Sequence, residues 1–335
     1  MIKSTNEWGQ LKRCIVGTAN GANFPKLDYF FYKHKKISKW SQTEMPLGKI
    51  NQDVVNEANE DLESLCNTLR ELSIEVLRPL DCDFTAINKT PHWNSDGYMN
   101  YCPRDVLLII DKIVVECPMS LRSRSVEHRL YSHIKKAHVA NNGTWISAPV
   151  PDLLDSDIDV VDNKIVLSER QPIFDAANIL RLDDDLLYLV SSSANKKGAE
   201  WLSSVLGEKY RIHVLDNLYA STHIDTTIVP IKPGLVLLNG SRVNKNNYPA
   251  IFDSWQKIYI EDLVEIGFYQ YPYASKWISM NMLSISPNLV ICDKHQPKLI
   301  KILEHHKIEV IPMELRHART LGGGFHCVTL DLYRV

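Results

Sequence analysis

The sequence predicts an α/β domain built from a repeated ββαβ unit, and three observations carry the prediction. Apolar hairpins of similar length recur along the chain, stretches of helical spacing follow them, and each such stretch runs into a short strand that ends near Pro or Asp. A chain of 335 residues, 44% hydrophobic and 23% charged, is ample for one sizeable core. Five related units point to radial or solenoidal repetition within a single domain, residues 1–335. A generic α/β protein whose units share only turn chemistry is the alternative.

Taken in order, Cys14-Ile15-Val16-Gly17 supplies the first strand. Residues 18–50 fit no unit. They hold Phe24-Pro25, the aromatic run Tyr29-Phe30-Phe31-Tyr32 and the basic run Lys33-His34-Lys35-Lys36. The basic run reads as a solvated face. The aromatic run reads as buried packing, with a lid or a subunit contact as the alternative. Val54, Val55, Ala58, Leu62, Leu65, Cys66, Leu69 and Leu72 then recur at three- and four-residue spacing, which puts them on one face of a helix. Ile74 to Pro79 is its strand. The hairpins are Val106–Glu116, Ile179–Val190, Thr227–Leu238 and Leu283–Asp293, each with Asp, Asn, Pro or Gly at its centre as turn former. Trp145–Pro149, Tyr210–Asp216 and Ile308–Pro312 follow helical stretches as closing strands, and Cys327–Tyr333 is the last strand, starting at a glycine turn.

Composition excludes several classes. A formal net charge of −2 creates no field to attract nucleic acid or an anionic membrane. The start, Met1 to Trp8, lacks the apolar run of a signal peptide, and no stretch reaches the length of a bilayer span, so a cytoplasmic protein is expected. Seven cysteines, an odd number without Cys-x-x-Cys pairs, read as reduced thiols with no zinc site.

Four polar clusters stand at strand ends or turns of successive units: Pro103-Arg104-Asp105, Phe174-Asp175-Ala176-Ala177-Asn178, His223-Ile224-Asp225 and Gly322-Gly323-Gly324-Phe325-His326-Cys327. In a radial repeat such edges converge. Three successive glycines are costly in chain entropy and are kept for backbone freedom or for close approach. Cys327 beyond them can be a nucleophile if a base holds it as thiolate. His223 and Asp225, two apart on an extended segment, face the same way. With Asp175 to hold the imidazole, the set has the parts of Cys-His-Asp chemistry. Asp105 and Asp225 are then free to accept a cationic substrate, since a guanidinium has fixed donors that match carboxylate oxygens.

These residues resemble the motifs of the amidinotransferases. Asn6-Glu7-Trp8, Pro103-Arg104-Asp105-Val106-Leu107, Arg122-Ser123-Arg124, Phe174-Asp175-Ala176-Ala177, His223-Ile224-Asp225, Ser275-Lys276-Trp277 with Ser279-Met280-Asn281, and the glycine-rich Cys327 stretch occur in the family's order, from residue 6 almost to the end. The resemblance implies a five-bladed α/β propeller of pseudo-symmetric ββαβ units with a central active site. It implies ping-pong transfer of an amidino group from L-arginine to an acceptor amine with release of ornithine, without metal or cofactor. Carried over by motif, Cys327 is the nucleophile, His223 the general acid and base, and Asp175 its partner. Asp105 and Asp225 hold the guanidinium, while Arg242 and Ser275 take the amino-acid end of the donor. The implied partners are the two small substrates, and a homodimer is allowed.

The departures concern the acceptor and the donor's amino-acid end. Glycine-specific members of the family have Asp where this chain has Asn178, and a Ser-Ser pair where it has Ala274-Ser275. They have Asn and Met where it has Ala220 and Thr222, so the pocket beside His223 is expected to be wider and the acceptor larger than glycine. The rival activity is a guanidine hydrolase of the same superfamily, of the arginine deiminase or dimethylarginine hydrolase type. A non-catalytic binder has no use for a complete Cys-His-Asp set, and a thiol protease none for two further carboxylates.

Overall fold

Five three-stranded sheets of one design organise the chain; the computed structural model describes residues 2–37 and 45–335. In each, a central strand pairs antiparallel with one neighbour and parallel with the other. The second sheet runs Leu107–Ile110, Ile113–Glu116, Thr144–Ser147, and the third Ile179–Leu182, Asp185–Leu189, Arg211–Leu215. The fourth runs Ile228–Lys232, Leu235–Asn239, Gln256–Ile260, and the fifth Leu283–Ser286, Leu289–Asp293, Glu309–Met313. The first sheet is shared by the two chain ends: Thr329–Arg334 lies antiparallel to Leu11–Val16, which lies parallel to Glu75–Leu77. The predicted hairpins are therefore present, and their turns follow the chemistry of their residues. Asp111 (φ 52°) and Asp183 (φ 62°) adopt the left-handed conformation that a two-residue hairpin turn needs, and Gly234 (φ 81°) does so after Pro233.

Helices make the parallel crossovers. The first, Gln52–Glu71, is capped by Asn51, whose side chain accepts from the Asp53 N–H, and it buries Val54, Val55, Ala58, Leu62, Leu65, Cys66 and Leu69 as its spacing predicts. Ser132–Ala140, Lys196–Leu206 and Pro297–His305 serve the second, third and fifth sheets. The fourth unit departs from the plan. Its crossover holds only a 3-10 turn, Ala250–Phe252, because Asn244, Asn246, Asn247 and Pro249 bond or bend the chain locally before a helix can start.

The irregular early segment packs inward. Asn23–Phe24 pairs with Gly48–Lys49, and the helix Tyr29–Ile37 buries Phe30 and Phe31 completely. Phe31 stacks on Tyr273 with centroids 5.9 Å apart and packs on Tyr98 at 5.5 Å. The aromatic run is thus packing; the side chains of 34–36 in the basic run lie outside the described residues. All seven cysteines are free thiols. Among the described residues no helix is long and apolar enough to cross a membrane.

Candidate active site

The segment that enters the first strand of each sheet carries the polar residues, and this shared position is what gathers them. Asp105 ends a 3-10 turn two residues before Leu107, Asp175 immediately precedes another that leads to Ile179, and His223 and Asp225 precede Ile228. Cys327 stands two residues before Thr329. Side chains of all five segments line one cavity of about 590 Å³. Cys327, His223, Asp175, Asp105, Asp225, Arg242, Ser275 and Thr222 are on its wall. Ala220 is not; Tyr219 and Ser221 line the wall around it, and Ala220 offers its carbonyl to Ser192 N–H instead. Of the two positions expected to widen the pocket, Ala220 is therefore off the cavity surface and Thr222 is on it.

The contacts divide the work. His223 Nε2 lies 3.0 Å from Asp175 Oδ2, and its Nδ1 lies 3.6 Å from Asp105 Oδ1. Asp175 is itself held by the Ser120 N–H at 3.0 Å. Burial works to lower the imidazole pKa, but the charge of Asp105, then the hydrogen bond and charge of Asp175, outweigh it and lift His223 to about 9. The Cys327 thiol donates to Asp225 Oδ2 at 3.3 Å. Its hydrogen bond with the neighbouring Cys102 thiol, burial and the Asp225 charge push the Cys327 pKa well up. These influences favour a thiol beside an imidazolium at neutral pH.

Asp105 is oriented from behind. Arg124 Nη1 donates to its Oδ2 at 2.6 Å and Arg124 Nε donates to Glu127 at 2.9 Å, while the buried Asp105 Oδ1 accepts no hydrogen bond from any described residue. Asp225 accepts from His326 Nδ1 at 2.9 Å, whose Nε2 faces Glu7 at 3.2 Å. Burial alone raises a carboxyl's pKa, yet the bond and charge of His326, with the charge of His223, bring Asp225 down to about 2.

Several contributors escaped the sequence reading. Asn281 Oδ1 accepts the Cys327 N–H at 2.8 Å and its carbonyl accepts the His326 N–H at 3.2 Å, which fixes the nucleophile's backbone. Its place, two residues before Leu283, repeats that of Asp105 and Cys327 in their units, and this was the available signal. His326 carried no assigned step, yet it joins Asp225 to Glu7. Cys102 gave no signal beyond its neighbour Pro103. Asn178 bonds Leu189, Ser191 and Ser193 and also donates to the Thr222 carbonyl at 3.4 Å, so that departure from the glycine-specific pattern lies behind the wall and supports the Thr222 segment.

A thiol, an imidazole with its carboxylate and two further carboxylates on one cavity wall fit a thiol-dependent enzyme for a cationic group. No family model matches the chain. It is 44% identical to inosamine-phosphate amidinotransferase 1 of Streptomyces glaucescens, over all of this chain and 97% of that one. It is 31% identical to the L-arginine:L-lysine amidinotransferase of Pseudomonas savastanoi pv. phaseolicola, over 99% of this chain and 94% of that one. The solved inosamine-phosphate amidinotransferase of Streptomyces griseus superposes with a TM-score of 0.95 at 43% identity, covering 100% of this chain and 97% of that one. The chain belongs to the amidinotransferase family and is a transferase.

Proposed function

We propose that the protein moves the amidino group of L-arginine through a covalent Cys327 intermediate to an acceptor amine larger than glycine, releasing ornithine. The observation that carries this is the placement of Cys327, His223 and Asp175 on one wall with two more carboxylates, Asp105 and Asp225, beside nucleophile and imidazole. The five sheets are read as blades of a five-bladed α/β propeller, one domain over residues 1–335, with the segments entering their first strands facing the axis.

The electrostatics suggest the order of events. A guanidinium placed between Asp105 and Asp225 offsets the negative charge that helps hold Cys327 as a thiol, so the sulfur gives its proton to solvent as the cation enters, His223 being already protonated, and takes one back when the product guanidinium leaves. Fixing the cation against the sulfur supplies part of the acceleration by orientation alone. The thiolate adds to the amidino carbon and a C–S bond forms. Imidazolium His223 gives its proton to the departing nitrogen as that C–N bond breaks, leaving S-amidino-Cys and ornithine. Neutral His223 then accepts a proton from the incoming amine as its C–N bond forms and the C–S bond breaks. Arg242 and Ser275, on the same cavity wall, take the amino-acid end of the donor.

Acceptor size follows from Thr222, short and exposed on the wall beside His223. The names of two relatives carry an inosamine phosphate and L-lysine, both larger than glycine. Incubation with arginine and a panel of amines tests the reading. Ornithine with an amidinated amine is expected, with glycine a weak acceptor. Citrulline as the product would make the protein a guanidine hydrolase, and glycine as the best acceptor would refute the size argument.

A further inference from the structure

A second thiol stands beside the one that the proposed reaction uses. Cys14, Cys66, Cys117 and Cys292 are buried in the core and Cys82 is exposed, whereas Cys102 and Cys327 line the cavity. The segments that carry these two run side by side. The Arg104 N–H, two residues beyond Cys102, donates to the Cys327 carbonyl at 3.5 Å. Cys102 Sγ packs on the loop leading to Cys327, so closely that a Cβ at Gly323 would lie 2.5 Å from it. The two thiols are hydrogen-bonded to one another.

Amidino transfer assigns no step to Cys102. Packing against Gly323 asks only for a small side chain there, and the Cys327 thiol already has Asp225 Oδ2 as an acceptor at 3.3 Å. Two sulfurs in contact on the wall of a cavity of about 590 Å³ are, however, open to a small oxidant that the four core thiols never meet. The contact also has a direction. The bond with Cys327 favours the Cys102 thiolate, although burial and the Asp105 charge leave its pKa raised, while the same bond with burial pushes Cys327 well up. Cys102 is thus the first of the pair to ionise, and a thiolate is the form that attacks an oxidant.

We propose that Cys102 and Cys327 are joined as a disulfide when a peroxide enters the cavity, an off state that a thiol reductant reverses. The Cys102 thiolate attacks one peroxide oxygen, the O–O bond breaks, the departing hydroxide leaves as water after taking a proton, and Cys102 becomes a sulfenic acid. The Cys327 sulfur then attacks that sulfur; the S–S bond forms, the S–O bond breaks, and a second water leaves with the Cys327 proton. The two sulfurs are oxidised by two electrons in all and hydrogen peroxide is reduced to water. The cross-link takes away the nucleophile and shields it from sulfinic acid, a state that reductants do not reverse.

Peptide mapping tests this. Reduced native protein is exposed to hydrogen peroxide, unfolded in excess N-ethylmaleimide to block remaining thiols, and digested with trypsin without reductant. The two sulfurs then lie on peptides 90–104 and 320–334, which hold one cysteine each. The expected result is these peptides joined, with ornithine release lost in proportion to the joined fraction and restored by dithiothreitol. In Cys102→Ser the joined species cannot form, and the same exposure should carry Cys327 to sulfinic acid with a loss that dithiothreitol does not restore. Sulfinic acid on Cys327 of the native protein with Cys102 still a thiol, a bond from either sulfur to Cys82, or equal recovery of native protein and variant overturns the inference. The cross-link is read by mass and stands apart from the amidino-transfer reading, which ties it to activity. Cross-linked protein that still releases ornithine would refute Cys327 as the nucleophile and the off state with it, whereas unlinked protein with a normal ornithine burst refutes the disulfide alone.

Discussion

Asp105 shows how much one side chain is asked to do. Its Oδ2 is tied to Arg124, while its Oδ1 accepts no hydrogen bond from any described residue and stands 3.6 Å from the imidazole it helps keep charged. Asp105→Asn removes one charged partner of the guanidinium, a loss of about 1.5–3 kcal/mol, or roughly tenfold to a hundredfold in kcat/KM. The same change acts on pH dependence, with a definite sign. His223 must be protonated when the amine leaves, so the ornithine burst should hold through neutral pH and fall as pH rises through about 9. Asp105 is the largest influence raising that pKa, so in Asp105→Asn the alkaline fall should move to lower pH. A pH–rate profile of the burst measures this, and an alkaline limb that stays in place would remove His223 from the role of acid. Cys327, His223 and Asp175 were legible because their types and the glycine run have little use as packing. The partners that set their charge states were not. Arg124 and Asn281 each stood in a noticed motif without a task, and the place of Asn281 two residues before its strand marks it without giving its role, which shows only once its side-chain oxygen is seen accepting the Cys327 N–H.

Among the elements, the hairpins and the first helix were legible because their signals are local: alternation broken by turn formers, and one apolar face at helical spacing. The missing helix of the fourth unit was not, since side chains of Asn244 and Asn247 bonding nearby backbone leave no mark in hydrophobic spacing. The loop that presents Cys327 depends on close packing at its glycines. Gly322 has φ 77°, and a Cβ there would meet the Tyr273 ring at 2.4 Å. At Gly324 a Cβ would lie 2.7 Å from Asn281 Cβ and 2.9 Å from the Asn281 carbonyl. Gly324→Ala should therefore push the loop off Asn281 and loosen the nucleophile's backbone. The expected result is a fall of about tenfold or more in kcat, since small misplacements of a reacting group are costly, with the melting temperature changed far less than activity. A variant with wild-type kcat would show that the loop does not need that contact.

For the molecule as a whole, the two chain ends are joined by buried charge. Asp331 on the last strand accepts from Arg181 at 2.8 Å, from Arg334 at 2.9 Å and from Ser4 at 2.6 Å, and also pairs with Arg104; Glu7 takes the other side of Arg181 at 2.9 Å. The repeat plan was readable from the sequence, but a network among residues so far apart in the chain was not. It couples fold to site, because Glu7 also faces His326 and Arg104 precedes Asp105. Asp331→Asn leaves three buried guanidiniums with Glu7 as their one remaining carboxylate in the network, and breaking a buried ion pair in this way costs about 3–5 kcal/mol. A midpoint of urea unfolding close to that of the native protein would contradict that accounting. The central claim, transfer through a covalent amidino-cysteine, is tested most directly by mixing the native enzyme with arginine in the absence of an acceptor, quenching in acid and mapping peptides by mass spectrometry. The expected result is one amidino group on the peptide containing Cys327, matched by one equivalent of released ornithine and absent in Cys327→Ala. Ornithine formed with Cys327 unmodified, or the amidino group found on a different cysteine, would contradict it.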